Sequence, residues 1–170
     1  MKIRVLDIEK DIECFRTIRE EAIFNAPESF GESQSEILNK SWEKYCDHLS
    51  DHGVGDFVLG AFLEQLIGVV GFYRAQLGNL AHKGTLWGLY VKPEYRRAGV
   101  AKALVRSVLG SIDKMNEIEY VKLSVVTDNL PAVALYRSLG FTVYGTEPSA
   151  LLLNGQSYDE HHMQLKIVRK

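Results

Sequence analysis

Between Thr85 and Val126 the chain reads as strand, loop, long helix and strand, an order that calls for two parallel strands bridged by a crossover. Thr85–Val91 is the first strand, and Pro93, with no N–H to donate, stops it. Val100, Leu104, Val108, Ile112 and Met115 then recur at helical spacing. Tyr120–Val126 carries apolar residues on both faces, as a strand does when it is covered on both sides.

The rest of the sequence arranges itself around that unit. Residues 2–6 read as a short strand, and Asp7 can cap the helix that follows, with Glu9 and Asp11 near its positive end. Ile8, Ile12, Phe15, Ile18 and Ala22 form one buried stripe, and Pro27–Gly31 is a loop. Ser33 with Glu36 has the form of a capping box, so Ile37, Leu38, Trp42, Tyr45 and Leu49 mark a second helix. After a break at Gly53–Gly55, Phe57–Leu63 and Leu66–Tyr73 are strands joined by a tight turn, and Ala75–Gly84 is a polar loop. Asn129 caps a short helix that Gly140 ends. Phe141–Tyr144 is a strand, Asn154–Gly155 turns a hairpin, and a last strand covers about Glu160–Val168. The expected architecture is an α/β (α+β) domain over residues 1–170. It has one mixed, mostly antiparallel sheet of about seven strands, a central parallel pair and about four flanking helices. A chain of 170 residues with 46% apolar content is long enough to bury such a core.

Composition excludes several classes. The formal net charge of −2 makes no case for nucleic acid or an anionic membrane as partner. Cys14 and Cys46 are too few for a disulfide framework. The first residues lack the apolar segment of a signal peptide, and no apolar run approaches the ~20 residues that span a bilayer, so a cytoplasmic setting is expected. His48 and His52 have the i, i+4 spacing of a metal pair but sit at a helix end, where the dipole alone favours them. His161 and His162 are neighbours on a strand and point to opposite faces, so no shared metal is expected.

The chemistry concentrates in Leu86–Ala101, where a strand runs into Arg96, Arg97, Ala98 and Gly99 and then a helix. The first turn of a helix has unpaired N–H groups and the positive end of the macrodipole, which suits phosphate oxygens. Gly99 lets the backbone approach an anion, Ala101 keeps the next position small, and the two arginines add forked donors. A pyrophosphate fits there without a metal. No phosphate loop of the G-x-x-x-x-G-K-[ST] kind, no G-x-G-x-x-G after a strand and no G-x-S-x-G elbow competes. A second motif runs from Asn129 to Phe141; as structure alone it is a capped helix in which Tyr136 is an amphipathic core residue.

Arg96-Arg97-Ala98-Gly99-Val100-Ala101 resembles the R/Q-x-x-G-x-G/A signature of the GCN5-related N-acetyltransferase (GNAT) superfamily. Asn129, Ala132, Leu135-Tyr136 and Gly140-Phe141 resemble its second motif, and the element order is similar across almost the whole chain. The resemblance implies acetyl-coenzyme A as cosubstrate. Leu89, Tyr90 and Val91 would pair with the pantetheine arm like an added strand. Arg96, Arg97, Ala98, Gly99, Val100 and Ala101 would hold the pyrophosphate, and Asn129 would contact the arm or order its loop. The two parallel strands would splay, with Gly88 as a bulge site, and Tyr136 would protonate the leaving thiolate. Many relatives carry a glutamate early in the strand before the first motif; here the neighbourhood is Gly84-Thr85-Leu86-Trp87, which leaves Glu160, His161, His162 or water as base.

The expected activity is acetyl transfer to a primary amine of a small molecule, with a peptide amine or a non-catalytic acyl-coenzyme A sensor as alternatives. Pro27–Gly31, the Ala75–Gly84 loop and the C-terminal hairpin would build the acceptor site, and their Glu28, Glu32, His82 and Asp159 hint at a cationic acceptor. A homodimer is a further expectation from the resemblance.

Overall fold

A computed structural model describes residues 1–49 and 55–169. Strands β1 (Lys2–Val5), β2 (Phe57–Phe62), β3 (Leu66–Arg74) and β4 (Lys83–Val91) form an antiparallel meander. Helices α1 (Ile8–Asn25), α2 (Gln34–Leu38) and α3 (Trp42–Leu49) are inserted between β1 and β2. Helix α4 (Val100–Ile112) crosses from β4 to β5 (Tyr120–Val126), and α5 (Leu130–Ser138) leads to β6 (Thr142–Leu153) and β7 (Gln156–Lys166). The seven strands make one sheet in the order β1-β2-β3-β4-β5-β7-β6.

The mixed sheet and its one parallel pair follow the sequence reading, and β4 and β5 are neighbours. Their pairing is short. It runs from Lys83↔Tyr120 to Thr85↔Lys122, while the strands continue to Val91 and Val126 without further partners across the gap. The splay has a local cause in β4. Val69 pairs with Tyr90 and Gly71 with Trp87, so Gly88 and Leu89 face Val70 alone. Gly88 sits at φ 62°, which is the extra residue of a β-bulge in a conformation that favours glycine.

Apolar side chains divide into two layers, one on each face. Phe15, Ile18, Ile23, Tyr45 and Leu49 of α1 and α3 pack against Val58, Leu66, Val69 and Tyr90. Leu104, Val105, Val108 and Ile112 of α4 pack against Ile67, Val70, Leu86, Val121 and Leu123 on the other side, with Tyr136 and Phe141 in the same layer. The caps read from sequence are present: Asp7 accepts from the N–H groups of Glu9 and Lys10, and Ser33 and Glu36 form a reciprocal capping box.

Two expectations need correction. The second helix is two helices, which raises the count among the described residues to five. Asn39 caps the short α2, its side chain donating to the Ser35 carbonyl at 2.8 Å, and competes there with continuation of the helix. The strand beginning after Phe141 continues through Leu153, because register shifts between Val143 and Gly145 and between Glu147 and Leu151, with Ser149 at φ 53°, absorb its irregular middle. The Asn154–Gly155 turn has φ of 50° and 81°, as a two-residue hairpin requires, so β7 starts at Gln156. Part of the break at Gly53–Gly55 lies outside the described residues.

Candidate active site

Where β4 and β5 part, a cavity of about 780 Å³ opens. The end of β4 (Leu89, Tyr90, Val91) forms one wall, and the Arg96–Arg97 turn with the first turn of α4 forms the next. Val126, Asn129, Ala132 and Leu135 close it from β5 and α5; Glu28, Ser29 and Phe30 approach from the other side, and Tyr158 of β7 completes the rim. Of the cofactor residues read from sequence, Leu89, Tyr90, Val91, Arg96, Arg97, Gly99, Val100, Ala101 and Asn129 line this cavity, and Ala98 does not.

The anion seat is a matter of backbone. Arg97 and Gly99 adopt φ of 62° and 78°, and no side chain caps the N-terminus of α4, which begins at Val100. The helix's first N–H groups therefore point outward unpaired, beside the positive end of its dipole. A Cβ on Gly99 would meet nothing within 4 Å, so glycine is required here for conformation and not for space. Arg96 is partly committed elsewhere. Its Nε donates to the Val91 carbonyl at 3.0 Å and its guanidinium lies 5.5 Å from the Tyr90 ring centroid, fastening the loop to the end of β4. Arg97 is exposed, with its charge open to the cavity mouth. These residues fit a pyrophosphate: donors and positive charge converge at the turn, with Lys102 also on the cavity.

Asn129 accepts from the Ala132 N–H at 3.3 Å as the cap of α5, and its amide donates to the Ser29 hydroxyl at 3.5 Å. It thereby ties α5 to the 27–29 segment. Tyr90 ties in the other direction: its hydroxyl donates to Glu21 at 3.0 Å and accepts from Asn25 at 2.9 Å, fixing the end of α1 to β4. Tyr136 is buried, with its ring edge-on to Phe141 at 5.7 Å. It is not among the cavity-lining residues, where its neighbour Leu135 stands instead. Burial alone raises the pKa of its hydroxyl, which keeps the phenol protonated.

The acceptor side differs from the sequence reading. Glu28 lines the cavity, but Glu32 is engaged by Arg19 and Lys40 at 2.9 and 2.5 Å. His82 and the Ala75–Gly84 loop lie at the opposite end of β4; His82 is edge-on to Tyr120, and its carbonyl accepts from Glu119 and Tyr120. Asp159 accepts from the Ser149 N–H at 2.8 Å, a contact within the hairpin. The hint of a cationic acceptor therefore loses three of its four residues. Glu160 is not among the cavity-lining residues, but it pairs with Val126, which is, and burial raises its pKa, with His162 opposing the rise and Glu147 adding to it. His162 shares that face, 2.9 Å from the Ser124 hydroxyl and 3.1 Å from Glu147; His161, on the other face, meets Thr146 at 2.8 Å. His48 contacts Lys40 at 3.0 Å and packs on Trp87 at 5.0 Å, and His52 lies outside the described residues. Among the described residues no group of three or more His, Cys, Asp and Glu side chains is placed to hold a metal ion.

The sequence reading did not find Asn25, Ala26 or Tyr158. The signal for Tyr158 was the two-residue Asn154–Gly155 turn, which obliges a strand to begin at once. Asn25 and Ala26 carry no local signal, since only the packing of α1 on β4 brings them to the cavity.

Residues 15–141 match the Acetyltransferase (GNAT) family. The chain belongs to this family. The L-amino acid N-acetyltransferase AaaT of Escherichia coli (strain K12) is 32% identical over 77 residues, 45% of this chain and 48% of that protein. The N-alpha-acetyltransferase of Saccharolobus solfataricus is 32% identical over 105 residues, 57% of this chain and 62% of that one. The chain thus spans about half to three-fifths of the length of the curated relatives it matches. The protein yncA of Salmonella typhimurium, solved with its cofactor acetyl-CoA, superposes with a TM-score of 0.83 at 19% identity, covering 100% of this chain and 95% of that one. At that identity the likeness is one of fold.

Proposed function

We propose that the protein transfers the acetyl group of acetyl-coenzyme A to the primary amine of a small molecule. The observation that carries this reading is the parting of β4 and β5 after Thr85↔Lys122, with the uncapped N-terminus of α4 on the cavity so formed. The bound cosubstrate supplies an acyl group activated as a thioester. The backbone of Arg97–Ala101 receives its pyrophosphate, and the free edge of β4 at Leu89–Val91 receives its arm. An N–H of that edge polarises the acyl carbonyl. The amine forms the new C–N bond as the C–S bond breaks; Glu160 accepts the amine proton, and the thiolate takes a proton from Tyr136, whose hydroxyl has to reach the cavity past Leu135 for this step. The half-buried Glu160 suits a base because burial raises its proton affinity, and it lies on the strand beside the gap.

The relative named as an L-amino acid N-acetyltransferase supports a small acceptor; the relative named N-alpha-acetyltransferase supports a peptide amine as the second reading. Thiol release from acetyl-coenzyme A with free amino acids, polyamines and peptide N-termini separates the two. No thiol release with any amine, together with tight coenzyme A binding, would favour a sensor instead. A homodimer and a cytoplasmic setting belong to the same proposal, and light scattering tests the first. Among the described residues no helix is long and apolar enough to cross a membrane.

A further inference from the structure

Among the described residues Asp11 and Arg19 are the charged residues buried as a whole, and the Lys40 side chain is buried beside Arg19. Asp11 is fully answered: both terminal nitrogens of Arg4 reach it, and it also accepts the Asp7 N–H at 2.7 Å. Arg19 is not. Its Nη2 donates to Glu32 at 2.9 Å, while Nη1 is buried with no hydrogen-bond partner. Glu32 meets Nη2 and not Nη1, and its other oxygen holds Lys40 at 2.5 Å. His48 is occupied by the same Lys40 Nζ at 3.0 Å, and burial holds its pKa down at about 4, so it is neutral. One carboxylate is therefore shared by two buried cations, and one guanidinium edge faces no acceptor. A buried charged donor without a partner costs more than a neutral one, and a fold that retains such a group needs a reason.

Position supplies the reason. Nη1 lies inside the bulge of β4: a Cβ on Gly88 would stand 3.0 Å from it, so the missing side chain makes its room. The next residue, Leu89, lines the cavity. The guanidinium is covered by Phe30, 5.1 Å away, and by Trp87, 5.6 Å away. Phe30 also lines the cavity, so a ring that touches the cavity also covers the guanidinium. Residue 30 is the cap of the helical turn Pro27–Ser29 and precedes α2, so the change of rotamer that a ligand on Nη1 requires of it would break no helix or ladder. Across the gap, on β7, stands Glu160.

We propose that Arg19 anchors a carboxylate of the acceptor, so that the amine acetylated here belongs to a free amino acid, with its carboxylate on Nη1 under the β4 bulge and its nitrogen toward Glu160. This rests on the transferase reading above. A cation on one side of the gap and a carboxylate on the other match the two charges of such an acceptor, whereas a polyamine would bring a second positive charge against Arg19.

The test is thiol release from acetyl-coenzyme A with L-leucine and L-phenylalanine, set against L-leucinamide and L-phenylalaninamide, which keep the amine and lose the anion; because amidation also lowers the amine's pKa, rates are compared per neutral amine across a pH series. For the wild-type protein kcat/KM should favour the acids by roughly 10- to 100-fold, the scale of one hydrogen bond to a buried charge. In Arg19→Gln the acids should fall toward the amides while the amides stay within a few-fold, a change of ratio that a merely structural role would not produce. If Arg19→Gln does not fold, the wild-type ratio decides alone. Turnover of acids and amides at equal rates, or of amides alone, overturns the assignment and leaves the transferase reading standing. Absence of coenzyme A binding by calorimetry removes the transferase reading, and this assignment with it.

Discussion

Tyr136 shows what a single residue's surroundings permit. Its ring lies against Phe141 in the layer under α4 and α5, and its hydroxyl is held protonated by burial, so it can act only as a donor near neutral pH. Tyr136→Phe preserves the packing and removes the proton. Turnover should fall on the order of 10²- to 10⁴-fold, the range of a positioned general acid, with coenzyme A affinity unchanged; wild-type turnover in a folded variant would make Tyr136 a packing residue. His48 supports a second prediction, about stability. Unfolded, it gains a proton below about pH 6.5; folded, burial delays this to about 4. Between those values the unfolded chain binds the extra proton, so stability falls as pH drops from 7 toward 5. The fall in Tm over that interval should be smaller in His48→Gln; an identical slope would show that His48 is not kept neutral by the fold. Only the first group's environment was legible in the sequence. Tyr136 could be placed by its motif, but the contacts of His48 with Lys40 and Trp87 join segments 8 and 39 residues apart, which no local pattern records.

At the scale of elements, legibility tracked how locally each feature is determined. The caps of α1, α2 and α5 rest on side chains two or three residues from the groups they satisfy, and Asp7, Ser33 and Asn129 gave them away. The division of α2 from α3 was missed because Ile37, Leu38, Trp42 and Tyr45 keep a helical spacing across the interruption at Asn39. The same reasoning placed the bulge at Gly88 but not Arg19 beneath it, since α1 and β4 meet only in the fold. Gly71 is a comparable case. A Cβ there would fall 2.0 Å from Trp87 Cε2, well inside contact distance, so β3 carries glycine to let the Trp87 ring lie flat across it. Gly71→Ala should displace that ring from His48 and Arg19 and cost about 1–3 kcal/mol, the usual scale of overpacking. Urea unfolding with tryptophan fluorescence would read both effects, and a variant with unchanged midpoint and emission would show that β3 can yield.

For the whole molecule, the sheet is two halves joined by three register pairs, Lys83↔Tyr120, Gly84↔Val121 and Thr85↔Lys122. Everything beyond them on β4 and β5 is held apart, and the cavity between is bridged within the protein by weak ties such as the 3.5 Å contact of Asn129 with Ser29. A ligand that lies along β4 and seats its phosphates on α4 while touching α5 would join both halves, so its binding free energy should appear as global stability. At a coenzyme A concentration of about 100 times Kd, linkage gives about 2.7 kcal/mol. For a chain of this size each kcal/mol moves Tm by roughly 2–4 °C, so the expected rise is about 5–10 °C. Gly99→Glu tests whether the rise comes from the proposed seat. Open space around Gly99 means that the new Cβ meets no steric obstacle; its cost is the positive φ, about 1–2 kcal/mol, which lowers the baseline Tm by a few degrees. What the carboxylate should abolish is the coenzyme A-dependent increment, because it stands where the phosphates are received. Reading the increment within each protein separates the two effects. A full rise in Gly99→Glu would mean that coenzyme A seats elsewhere, and the role given to the turn before α4 would fall with it.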